Sequence, residues 1–155
     1  MFSGRSDVRI CLISSHGGHL RELLDATNQV TGDKYYVTYR TRHTLELLHD
    51  RRCHFVIDPH KSVAKYLMNA LQSIYHVIRE RPDVVISTGA GIAISTVLLS
   101  KYLLGSKVIF IESAANVVNP SRTGSFLYRH TDLFLIQWPS LQNYYPRAKY
   151  VGLII

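Results

Sequence analysis

Short runs of apolar, often β-branched residues alternate along this chain with longer stretches in which apolar residues recur every three or four positions. The first pattern suits strands buried on both faces, the second amphipathic helices. Val8 to Ile13 (VRICLI) predicts a strand that breaks at Ser14-Ser15-His16-Gly17-Gly18-His19. A helix follows from about Leu20 to Val30, and Thr31-Gly32-Asp33 closes it, since glycine takes the left-handed end position cheaply. Lys34 to Tyr39 reads as the second strand, Thr44 to His49 as a short helix, and Cys53 to Ile57 as the third strand. A long helix is expected from Ser62 to Arg81. Its apolar stripe (Val63, Leu67, Ala70, Leu71, Ile74 and Ile78) has helical spacing and is expected to face the core. Pro82 stops it, because proline cannot donate to the helix ladder.

The second half repeats the alternation. Asp83 to Ser87 is a fourth strand, followed by Thr88-Gly89-Ala90-Gly91 and an apolar helix from Ile92 to Leu104. Lys107 to Ile111 is a fifth strand, and a loop from Glu112 to Pro120 leads to a helix at Ser121 to Arg129. Asp132 to Gln137, a short helix at Leu141 to Tyr145, and a small strand at Lys149 to Val151 complete the chain. Apolar strands alternating with helices define an α/β fold: a Rossmann-like parallel sheet with helices on both faces, in one domain spanning residues 1–155. No repeat, low-complexity tract or linker interrupts it.

Composition narrows the partners. Apolar residues make up 46% and charged residues 19%, which excludes disorder. The net charge of +7 favours polyanions or an anionic membrane surface. The ten tyrosines are scattered over many elements rather than gathered on one platform, which argues against nucleic acid. Cys11 and Cys53 sit in apolar segments without a CxxC partner and read as packing residues in a reducing compartment. The first seven residues lack a signal peptide's apolar core, and no stretch is long and apolar enough to span a bilayer. The expected location is cytoplasmic, with peripheral membrane contact open.

In sheets of this kind, ligands bind beyond the carboxyl ends of the strands. Three loops qualify: Ser14 to His19, Ser87 to Gly91 and Glu112 to Gly124. Gly17 and Gly18 precede a helix start, where glycines admit a close ligand and free N–H groups favour an anion such as a diphosphate. A plain strand-to-helix turn would read the same way. The G-x-G-x-x-G fingerprint and the G-K-[ST] phosphate loop are both absent. The second turn repeats the design of the first, and together they would aim two helix ends at one ligand. Glu112 follows an apolar strand, where a carboxylate suits acid–base work or a ligand hydroxyl, and equally a cap or an ion pair. His16 and His19 have no neighbouring ligand set, so no metal is expected.

The segments S-H-G-G-H-L (15–20), S-T-G-A-G (87–91), E-S-A-A-N-V-V-N-P-S-R-T-G (112–124) and D-L-F-L-I-Q-W-P (132–139) occur in one order, followed by Tyr145-Pro146 and Val151-Gly152. Together they resemble the bacterial PssD-type polysaccharide biosynthesis proteins and the membrane-anchor subunit of the eukaryotic dolichyl-diphosphate UDP-N-acetylglucosamine transferase. The chain is similar also to the N-terminal half of MurG, which carries the same two-domain architecture, called GT-B, in one polypeptide. Two departures stand out. The eukaryotic members carry an N-terminal membrane helix that is not expected here, and they often have a basic residue where this chain has Asn116.

The resemblance implies the acceptor-side half of a split, inverting glycosyltransferase in exopolysaccharide or capsule biosynthesis. A separate donor-binding subunit would hold the UDP-sugar, and the acceptor would be a polyprenyl-diphosphate-linked saccharide. It implies His19 and Glu112 as catalytic residues, one of them the base. It implies Ser15, Gly17, Gly18, Gly89, Gly91, Ser113, Asn116, Thr123 and Gly124 around the acceptor and its diphosphate. No cofactor is implied. Lys65, Tyr66, Met68 and Tyr75 lie off the stripe assigned to the core and are expected to face the inner leaflet of the cell membrane, and the apolar end Gly152 to Ile155 to meet the partner. Two other readings stay open: a non-catalytic anchor or stabilising subunit of the same transferase, and a stand-alone nucleotide-binding Rossmann protein.

Overall fold

A computed structural model describes residues 7–60 and 62–154. The leader argument therefore concerns residues almost wholly outside the described ones, as does Ile155 of the apolar end. Seven strands form one parallel sheet: β1 (Arg9–Ser14), β2 (Asp33–Thr38), β3 (Cys53–Phe55), β4 (Val84–Gly89), β5 (Lys107–Ile111), β6 (Leu133–Ile136) and β7 (Lys149–Tyr150). Their order is β3-β2-β1-β4-β5-β6-β7. The order reverses between β1 and β4, and a crevice opens at such a switch point beyond the carboxyl ends. Those two strands carry the two glycine turns.

The helices are α1 (Gly18–Ala26), α2 (Arg42–Leu47), α3 (Val63–Glu80), α4 (Ala93–Leu104) and α5 (Arg122–Leu127). Alternate residues of each strand feed opposite cores. Ile10 and Leu12 join Leu20 and Leu23 of α1 and Leu48 beyond α2. Cys11 and Ile13 join Ala93 and Val97 of α4 and Leu127 of α5. The helices expected at 121–129 and 141–145 are tighter than foreseen: α5 gives way to a 3₁₀ turn at Tyr128–His130, and Pro139–Asn143 is a 3₁₀ turn throughout. Burial pushes both cysteine thiols up to about 12, as befits packing residues.

Helix α3 overturns one expectation. Its apolar stripe faces outward: Val63 is 86% exposed, Leu67 63%, Leu71 60% and Ile78 55%. The buried positions are Asn69, Ser73, Val77 and Glu80. Asn69 Nδ2 donates to the Ile57 carbonyl (2.9 Å), and the Gln72 side chain accepts from the Ile57 amide (2.7 Å). Ser73 Oγ accepts from Thr96 Oγ1 of α4 at 3.0 Å. Backbone groups where β3 ends need partners, and the polar side of α3 supplies them. Periodicity identifies an apolar stripe but not the neighbour it faces. Lys65, Tyr66, Met68 and Tyr75 are exposed too, Met68 and Tyr75 beside the stripe and Tyr66 at its inner edge.

Candidate functional site

The crevice is built from the residues at the ends of β1 and β4. Pairing runs Ile13 with Ser87 and then Ser14 with Gly89, so Thr88 is the extra residue of a bulge. A bulge frees its residue from the ladder and re-aims it. The Thr88 carbonyl accepts from His19 Nδ1 at 3.1 Å, and Thr88 Oγ1 donates to the His19 carbonyl at 2.7 Å. This reciprocal clamp holds the first glycine turn against the second. A carbonyl only accepts, so Nδ1 carries a proton, and in the neutral imidazole the lone pair is on Nε2.

Both turns use special backbone. Gly17, the N-cap of α1, has φ 73°, and Gly89 has φ 106°. Ala90 has φ 72°, which a residue with a Cβ adopts at a cost of order 1–3 kcal/mol. Such strain is characteristic of functional turns. Gly18 is exposed at the start of α1, and Ser15 Oγ reaches only the neighbouring His16 carbonyl. In the second turn Gly89 is buried against the Phe110 ring, and Gly91 lies against the Tyr66 hydroxyl.

Glu112 is placed differently from the expectation. It is 1% exposed. One carboxylate oxygen accepts from Asn116 Nδ2 (2.9 Å) and the Ser113 amide (3.3 Å). The other accepts from the Tyr145 hydroxyl (2.8 Å) and the Ser121 amide (3.3 Å). Its oxygens therefore hold the loop 112–121 in shape and are not offered to a substrate. No contact joins it to His19, which is held by Thr88 instead. Burial, joined by the Glu112 carboxylate, outweighs an opposing bond from Ser125 and pushes the Tyr145 phenol well above its usual range.

The same knot occupies much of the expected acceptor set. Asn116 is committed to Glu112. Ser113 is buried, and its hydroxyl accepts from the Ala115 amide. Gly124 is glycine for want of space: a Cβ there would overlap Glu112 Oε2 and lie 2.8 Å from Ser121 Oγ and 2.9 Å from the Tyr145 hydroxyl. Thr123, half-buried in α5, stands beside the knot. The two glycine turns and His19 stay outside this knot.

Sequence reasoning missed Glu22 and Gln137. Glu22 is buried on α1, accepting from the Ala114 amide (2.7 Å) and from Gln137 Nε2. Gln137 also donates to the Glu112 carbonyl (3.0 Å) and accepts from the Ile154 amide (2.8 Å). One amide thus ties α1, the 112–121 loop and the end of the described chain together. The available signal was an acid between Leu20 and Leu23 on the buried face of α1. His16 and Tyr39, paired through the tyrosine hydroxyl, form a further rim of the crevice.

Among the described residues, no helix is long and apolar enough to cross a membrane, and no group of three His, Cys, Asp or Glu side chains could hold a metal.

A seven-stranded parallel sheet with its crevice between β1 and β4 has the fold of the N-terminal domains of GT-B glycosyltransferases. Acinetobacter baumannii MurG superposes with a TM-score of 0.71 at 17% identity, over 86% of this chain and 42% of that one. A UDP-N-acetylglucosamine 2-epimerase from Rickettsia bellii gives 0.72 at 10% identity, over 94% of this chain and 45% of that one. The chain therefore spans less than half the length of the solved proteins it resembles. Residues 34–154 match the family described as "Oligosaccharide biosynthesis protein Alg14 like", and the chain belongs to that family. The UDP-N-acetylglucosamine transferase subunit ALG14 of Rattus norvegicus is 25% identical over 97% of this chain and 85% of its own length. The protein of the same name from Saccharomyces cerevisiae is 34% identical over 61% of this chain and 46% of its own length.

Proposed function

We propose that this chain is the membrane-docking, acceptor-presenting subunit of a two-part UDP-N-acetylglucosamine transferase that builds a lipid-linked saccharide. A second subunit would hold the UDP-sugar. The observation that carries this reading is the outward apolar face of α3. Val63, Leu67, Leu71 and Ile78 lie beside Tyr66, Met68 and Tyr75, with Lys65 and Arg79 as cations and no exposed acid on the helix. Aromatic, aliphatic and basic residues mixed on one helix suit an anionic bilayer surface, the helix lying in the interface plane. The family's curated members are named as transferase subunits, which supports a partner. A capsule or exopolysaccharide acceptor rests on the sequence resemblance alone.

The anchor role is favoured over a catalytic one by the state of Glu112, whose carboxylate is fully occupied by the protein. A catalytic contribution retains one support: His19, with Nδ1 held by Thr88, would in its neutral form offer Nε2 as a base for an acceptor hydroxyl. Transfer from labelled UDP-N-acetylglucosamine to a polyprenyl-diphosphate-linked acceptor, by this chain alone, its partner alone and the mixture, tests the division of labour. Activity only in the mixture is expected; activity of this chain alone would end the subunit reading. In the mixture, His19→Ala tests the base. A loss of about 100-fold or more in kcat would place chemistry on this chain, and an unchanged kcat would leave it an anchor.

A further inference from the structure

Gly91 is a glycine without a backbone reason. Its φ is not positive, unlike that of Gly89 two residues earlier. The explanation lies in its surroundings. A Cβ at Gly91 would stand 2.9 Å from the Tyr66 hydroxyl and 3.9 Å from Pro59 Cγ. The missing side chain is the space that the phenol of Tyr66 occupies. Tyr66 sits in the first turns of α3, one turn after the outward Val63 but on the side of the buried Asn69 and Ser73, and is 38% exposed. Its ring therefore runs from the edge of the apolar surface, beside Val63, to the second glycine turn. Among the described residues its hydroxyl has no hydrogen-bond partner. A tyrosine with an apolar body and a polar tip suits the boundary between hydrocarbon and water.

We infer that Tyr66 is an acceptor-positioning residue whose hydroxyl donates to a phosphate oxygen of the membrane-held acceptor, placing its diphosphate at the second glycine turn. The inference rests on the reading of this chain as the acceptor-side subunit. A lipid-linked diphosphate lies where its polyprenyl chain meets water. A residue at the edge of the lipid-facing surface whose hydroxyl reaches the turn meets the diphosphate at that depth. The first glycine turn has no comparable link, since its N-cap Gly17 has open space where a Cβ would be. The two turns thus divide the task, the second seating the diphosphate and the first presenting His19 toward the saccharide. The phosphate chemistry admits a second source, a phospholipid headgroup, and the experiment separates the two.

Initial rates of the reconstituted pair are measured against lipid-linked acceptor in vesicles, for the parent chain, Tyr66→Phe and Gly91→Ala. Flotation with acceptor-free anionic vesicles is measured alongside. Tyr66→Phe keeps the apolar ring and removes only the donor. It is expected to raise the acceptor KM about 10-fold, the scale of one hydrogen bond to a charged group, with kcat nearly unchanged and vesicle binding unaltered. Gly91→Ala is expected to raise KM in the same way by displacing the phenol. An unaltered KM in Tyr66→Phe, with the parent pair active, overturns the inference and leaves the subunit reading intact. Weaker flotation at an unaltered KM assigns the hydroxyl to phospholipid headgroups and also overturns it. No transfer by the parent pair overturns the subunit reading and the inference with it.

Discussion

Replacing Glu112 by glutamine distinguishes a carboxylate that shapes a loop from one that does chemistry. The substitution conserves volume and changes one oxygen to an amide nitrogen. In the parent, both oxygens face only donors: Asn116 Nδ2 and the Ser113 amide on one side, the Tyr145 hydroxyl and the Ser121 amide on the other. The Asn116 amide can flip and the Tyr145 hydroxyl can rotate, but the two backbone N–H groups cannot turn. Whichever way the new side-chain amide is placed, one backbone N–H loses its acceptor and meets another N–H. The site is 1% exposed, so water does not compensate. A hydrogen bond to a charged group contributes about 1.5–3 kcal/mol, and an unsatisfied buried donor costs about 1–3 kcal/mol. A loss of about 2–4 kcal/mol follows, a large fraction of the roughly 5–15 kcal/mol that holds a domain. The assay is urea unfolding followed by circular dichroism. At a typical slope of about 1–3 kcal/mol per molar, the midpoint should fall by about 1–2 M with the slope unchanged. Sugar transfer should decline only as the folded fraction does. A Glu112→Gln chain as stable as the parent but inactive with its partner would refute this reasoning and return Glu112 to the chemistry.

Three further outcomes are expected. Gly124→Ala should destabilise the fold by about 1–3 kcal/mol through overpacking against Glu112, Ser121 and Tyr145, although glycine-to-alanine within a helix ordinarily stabilises it; equilibrium unfolding reads the sign. Leu67→Glu with Leu71→Glu should weaken binding to anionic vesicles on the order of 100-fold, since withdrawing about 60% of each side chain from water is worth about 1–2 kcal/mol; stability should stay within about 0.5 kcal/mol, and undiminished flotation would remove α3 from the membrane. Stability should fall in two stages as pH drops. Burial, then the neighbouring His54, depresses the His76 imidazole. The unfolded chain thus takes up the proton first, and stability present above about pH 6.5 is lost below it. Partial burial of Asp132 works to raise its carboxyl, but the bonds from Lys101, Val108 and Lys107 outweigh it, so a second loss begins below about pH 4. Thermal midpoints against pH should show both limbs. His76→Asn should flatten the first and Asp132→Asn the second.

Every strand and helix of the sheet was legible in the chain, because strands buried on both faces are continuous apolar runs and their loops are marked by Gly, Pro and Asp. The two glycine turns were legible for the same local reason. A turn that needs a positive φ, as at Gly17 and Gly89, leaves its mark in the residue type itself. Three matters were decided only by the tertiary structure. Which side of α3 faces inward depended on backbone groups at Ile57 that want partners, and Asn69 and Gln72 answer them while the apolar stripe turns outward. Whether Glu112 was free depended on donors from positions 113, 116, 121 and 145, the last far along the chain, closing around it. Gly91 resembled its neighbours in the turn, yet its reason lies in the phenol of Tyr66, brought in from another helix. Periodicity and turn chemistry are properties of neighbours in sequence, so the chain states them directly. Burial, hydrogen-bond occupancy and close approach belong to neighbours in space, and they exist only once the sheet has brought those segments together.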